Sequence, residues 1–90
     1  MATYNSTTLC YELNRLANGG VAPSVPEYAF LNEQGAANKW AGTSGLDLLG
    51  ALNVKAGNSQ NVWRGLNAVC NQLAGTSGLE PRDALAARAS

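Results

Sequence analysis

A chain of 90 residues has room for one hydrophobic core and no second domain. Its six acidic and six basic side chains cancel and do not cluster, which removes the main warrant for binding nucleic acid or an acidic membrane. It contains no His, and this excludes the commonest general base, the commonest metal ligand and every Ser-His or Cys-His nucleophile pair.

Met1 to Thr8 is polar, with no basic start and no apolar run, so no secretory leader is expected. The first helix is predicted over 6–18, where Leu9, Leu13, Leu16 and Ala17 share a face and Asn18-Gly19-Gly20 ends it. Residues 19–24 read as an extended linker broken by Gly19, Gly20 and Pro23. A second helix is predicted over 25–41. Ser24 and Glu27 have the spacing of a capping box, and Pro26 falls in a first turn that tolerates it. Phe30, Ala37 and Trp40 can share its face, with Gly35 placed to kink or split it. Ser44 and Asp47 open a third helix over 45–56, whose face is Leu49, Leu52 and Ala56. The fourth, over 59–74, carries Val62, Leu66, Val69, Cys70 and Leu73 at the spacing of one buried face. Ser77 and Glu80 repeat the capping pattern. That start would place Pro81 at the fourth helical position, so the alternative is a start at Pro81 with Glu80 as cap. This last helix, 81–88, has few large apolar anchors and either frays alone or orders against a partner. No segment alternates as a strand does. The chain therefore reads as all-α, a single domain over 1–90 of about five short helices.

These helices are imperfect copies of one another. Ala41-Gly42-Thr43-Ser44-Gly45-Leu46 returns letter for letter as Ala74-Gly75-Thr76-Ser77-Gly78-Leu79. The likeness extends upstream: Leu13-Asn14-Arg15-Leu16-Ala17-Asn18, Ala37-Asn38-Lys39-Trp40-Ala41-Gly42, Leu52-Asn53-Val54-Lys55-Ala56-Gly57 and Cys70-Asn71-Gln72-Leu73-Ala74-Gly75 share one pattern. An apolar or small residue precedes Asn, and two variable residues, Ala and then Gly or Asn follow. Leu85 to Ser90 is a degenerate fifth copy that lacks the Asn. The shared Ala recurs at intervals of 24, 15, 18 and 15 residues, which suits a short helix plus a tight connection.

The chemistry-bearing residues read as structural. Glu27, Asp47 and Glu80 are first-turn acids, and Glu12 is placed to pair with Arg15. Gly42-Thr43-Ser44-Gly45 lacks the Gly-Lys-Ser/Thr ending and the preceding strand of a phosphate loop. Cys10 and Cys70 cannot fill a four-ligand zinc site. Both sit on apolar helix faces and read as buried free thiols, a bridge being possible only if those helices are neighbours. No catalytic residue, cofactor or metal site is expected. At 13% the chain is sparsely charged against about 25% in ordinary proteins, and ten Asn are expected to supply much of its surface polarity. A neutral, amide-rich surface is easier to bury against a partner than a charged one. The candidate partner contacts are Trp63, Trp40, Tyr4 and Tyr11, because Trp and Tyr anchor interfaces; for Trp40 a place in the core is favoured.

The stretch from Lys39-Trp40-Ala41-Gly42-Thr43-Ser44-Gly45-Leu46-Asp47 to Ala51-Leu52-Asn53-Val54-Lys55-Ala56-Gly57 resembles repeats of tailed-bacteriophage virion proteins, notably of phages infecting actinobacteria. The likeness covers about residues 35–80, and Gly57-Asn58-Ser59-Gln60 departs from the Thr-Ser-Gly-Leu connector. The resemblance implies a non-enzymatic virion component, synthesised in the host cytoplasm. Such a protein would act as a capsid accessory or decoration protein on the major capsid protein, in many symmetric copies. A tail or head–tail connector protein, or a small cytosolic helical adaptor, are the alternatives.

Overall fold

The computed structural model describes residues 8–26 and 29–89. It is all-α. Five helices of nine residues each follow in order: α1 (Leu9–Ala17), α2 (Glu33–Ala41), α3 (Leu48–Ala56), α4 (Leu66–Ala74) and α5 (Pro81–Ala89). Helices this short do not persist alone in water and need tertiary packing. Each packs on its neighbours in sequence, and α5 returns to α1, closing a ring. The fourth and fifth positions of every helix are buried and face inward. They are Glu12 and Leu13, Ala36 and Ala37, Ala51 and Leu52, Val69 and Cys70, and Ala84 and Leu85. The small Ala side chains let the helices approach closely, while Leu13, Leu52 and Leu85 fill the centre. Each of those leucines contributes roughly 1.5–3 kcal/mol through burial. Glu12 is the exception in this register. Its Oε1 is buried without a hydrogen bond and lies 3.5 Å from an Arg15 guanidinium nitrogen.

The helix ends fall where the repeat places them, and so does the start of the last helix at Pro81; the other four starts do not. Gly42, Gly57 and Gly75 adopt left-handed φ of 73°, 81° and 71° and close α2, α3 and α4, where a Cβ would be strained. At the starts, Ser44 caps nothing. Asp47 caps α3, accepting from the Gly50 N–H at 2.7 Å, and Asn32 caps α2 through the Gly35 N–H at the same distance. Of the predicted second helix, residues 25, 26 and 29–32 lie outside α2, Glu27 lies outside the described residues, and Gly35 sits in the first turn of α2 without splitting it. In the fourth copy, Gln60–Val62 is a separate 3-10 turn, and Val62 is 58% exposed instead of lying on a buried face. The last helix starts at Pro81 and docks on α4 and α1.

The repeated Asn is a latch. Asn14, Asn38, Asn53 and Asn71 each occupy the sixth position of a helix and are buried, so these four amides do not supply surface polarity. Asn71 shows the bonding. Its Nδ2 donates to the Asn67 carbonyl one turn back at 2.7 Å and to the Leu79 carbonyl at 2.8 Å. Its Oδ1 accepts from the Leu79 N–H at 3.2 Å and the Thr76 hydroxyl at 2.8 Å. Asn38 makes the same four bonds to Gln34, Leu46 and Thr43. Asn53 does so to Leu49 and Arg64, with the Asn58 side-chain amide in place of the Thr hydroxyl. Asn14 holds Cys10 and Leu31 by four, one of them to the Cys10 sulfur at 3.6 Å. The latched residues Leu31, Leu46, Arg64 and Leu79 all stand two before the next helix begins. One amide per helix therefore fixes where the following helix starts. The sixth position of α5 is Ala86, which carries no such group.

Candidate interaction surface

The four aromatic candidates separate. Tyr4 lies outside the described residues. Tyr11, half-buried on α1, stacks obliquely against Phe30 with ring centroids 6.1 Å apart. Trp40 packs half-buried against the core at the end of α2, with the Lys55 Nζ 5.3 Å from its ring centroid. That placement agrees with the favoured core role. Trp63 is the exposed one, at 37%.

Trp63 lies across Gly50 on α3. A Cβ on Gly50 would stand 3.2 Å from the indole ring and 2.9 Å from the capping Asp47 Oδ1, so this position holds Gly because ring and cap both approach it. Val54 follows one helical turn after Gly50 and is 40% exposed, and Val62 precedes Trp63 in the chain. Trp63, Val62 and Val54 are thus exposed apolar side chains on and beside α3. The two ion pairs in the described residues, Arg15–Glu12 and Arg82–Asp83, belong to α1 and α5. A second exposed apolar stretch, Val21 and Val25, lies in the connection between α1 and α2.

Val54 and Val62 escape a periodicity reading for different reasons. Val62 fits the buried face of a helix that in fact begins four residues later, and Val54 lies between the core positions of α3. No sequence signal finds Val62, because the separation between each Asn and the residue it latches varies, at 17, 8, 11 and 8 residues.

Among the described residues no three His, Cys, Asp or Glu side chains gather as a metal site, and no helix is long and apolar enough to cross a membrane. Cys10 and Cys70 are buried free thiols; the Cys10 Sγ lies 3.2 Å from the Leu31 carbonyl it donates to. Burial pushes the Cys70 thiol up to about 11. The chain matches no protein-family model, no curated protein and no solved structure.

Proposed function

We propose that this protein is a non-enzymatic structural component of a tailed-phage virion that docks on the major capsid protein and reinforces the head shell. The observation that carries the reading is the set of exposed apolar side chains Trp63, Val62 and Val54 on and beside α3, borne by a frame that four buried amides hold in shape. A pre-ordered surface loses little conformational entropy on docking, and a sparsely charged one loses little in desolvation. On a symmetric shell every copy makes the same contact, so modest individual affinity suffices. The likeness of the Ala-Gly-Thr-Ser-Gly-Leu modules to phage virion repeats supports the same reading.

The test is to separate heads from tails in purified particles and count copies in each by quantitative mass spectrometry. The reading predicts head-bound copies in numbers comparable with the major capsid protein. A few copies in the tail fraction would move the protein to the tail or head–tail connector, and absence from both would leave a cytosolic adaptor. On heads, Trp63→Ser should weaken binding at least tenfold while leaving the fold intact, because a buried Trp anchor is worth roughly 2 kcal/mol or more.

A further inference from the structure

Between each latched residue and the helix that follows stands a single residue: Asn32, Asp47, Gly65 or Glu80. At Asn32 and Asp47 the side chain ties this residue into its helix, accepting from the Gly35 and Gly50 N–H groups. Gly65 has no side chain to do so, and α4 begins without a side-chain cap. A Cβ built on Gly65 would meet nothing within 4 Å, so no neighbour packs against it from that side. Gly65 also falls on a boundary in the bonding. Before it, the connection is fastened to α3: Arg64 bonds the Asn53 latch through both its N–H and its carbonyl, and Trp63 lies over Gly50. After it, α4 and α5 form a hairpin held by its own latch, Asn71 on Leu79. The hairpin meets the rest of the ring on two sides, α4 on α3 and α5 on α1, and the packing of α4 on α3 is the least extensive of the five. Between described residues, the side-chain hydrogen bonds that cross to the hairpin are the two of the solvent-facing Asn58–Gln72 pair.

We infer that the α4–α5 hairpin is an exchangeable arm: it swings about Gly65 and docks on the α1–α3 part of a second copy of this chain, whose own hairpin docks in return. The occupant follows from the core. An arm swung out alone would expose Val69, Cys70, Ala84 and Leu85, all fully buried in the ring, together with Leu13 and Leu52 opposite them. Burial of such apolar area is strongly favoured over leaving it in water, and the surface that matches it side chain for side chain is the same surface of another copy. Exchange re-forms the contacts of the closed ring between chains, so the product is a symmetric dimer whose cost lies in association and in the two hinges. Its share therefore rises with protein concentration, and its formation is slow because the core has to open first. The inference does not depend on the virion reading, since the arm and its hinge are properties of the isolated chain.

The test is to warm the concentrated full chain to its unfolding midpoint, cool it and size the products by light scattering. A dimer is expected beside the monomer, returning slowly to monomer on dilution. In a dimer made from carbon-13-labelled and unlabelled chains, isotope-filtered NOEs should join the Leu13 and Leu52 methyls of one chain to the Val69 and Leu85 methyls of the other. Gly65→Asp, at an exposed position, supplies the cap that Asp47 gives α3. It should raise the dissociation constant of the dimer about tenfold or more, because the dimer has two such caps to break, while the monomer spectrum reports an intact fold. Gln72→Ala removes a pair that both forms contain, so it should speed the exchange and leave the equilibrium in place. A chain that stays monomeric through this treatment, a dimer without the interchain NOEs, or a dimer indifferent to Gly65→Asp would overturn the proposal. Because the measurements use isolated protein, their failure leaves the particle-fraction experiment untouched.

Discussion

A buried asparagine is costly unless both amide hydrogens and the oxygen find partners, and the four latches meet that condition. Replacing Asn71 by Ala strands the Leu79 N–H and C=O and the Thr76 hydroxyl, and should cost about 2–4 kcal/mol. Asn71→Asp keeps the shape but turns acceptor oxygens toward the Asn67 and Leu79 carbonyls, so it should be at least as damaging. Asn67→Ala, at an exposed position on the same helix, should stay within about 0.5 kcal/mol in the same urea titrations. The recurrence of Asn is plain in the sequence. Its purpose is not, because an amide in a polar chain looks like surface until the carbonyls it faces are known. Cys70 gives a pH signature. The folded chain keeps a thiol proton that the unfolded chain, with a pKa of about 8.5, gives up, so this source of stability is intact below that pH. It falls as pH rises toward about 11, by at most about 1.4 kcal/mol per pH unit. Unfolding followed between pH 7 and 10.5 should therefore show a flatter profile for Cys70→Ala than for the parent chain. Parallel profiles would contradict it.

At the scale of the helix, starts and stops obey different rules here. The stops at Ala41, Ala56 and Ala74 are legible because a glycine follows each in the left-handed region, and only local chemistry is involved. The starts of α2, α3 and α4 follow a latch from the preceding helix that no local pattern reveals, whereas Pro81 marks the start of α5 in the sequence and Thr8 caps α1. Ser44 and Ser77 have the right spacing for capping, yet Gly45 and Gly78 follow at φ 76° and 77° and break any helix begun there. Thermal or urea unfolding can separate the two readings. Asp47→Ala should cost about 1 kcal/mol by removing the bond to the Gly50 N–H, whereas Ser44→Ala should change little. Gly75→Ala should cost about 1 kcal/mol because its φ of 71° strains any Cβ. The departure Gly57-Asn58 from the Thr-Ser-Gly connector also has a physical account. Asn58 replaces the Thr hydroxyl on the Asn53 latch, and it forms a reciprocal amide pair with Gln72 on α4, both bonds at 2.9 Å.

The whole molecule is five short helices that none of them could maintain alone, tied into a ring by one amide per junction and closed by α5 on α1. Helix number and fold class follow from the repeat. The ring closure does not, because nothing local to α5 announces that Ala84 and Leu85 will be buried against the first helix. The rigidity of the junctions is what holds the exposed apolar side chains around Trp63 in place, so it is the claim on which the rest depends. Native-state hydrogen exchange tests it most directly. The latched amides Leu46, Arg64 and Leu79, although in connections, should be protected to nearly the level of core helix amides such as Leu52 and Leu85, while Gly45 and Gly78 beside them exchange close to the rate of an open chain. Equal, fast exchange along the whole of each connection would show that the asparagines do not hold the frame.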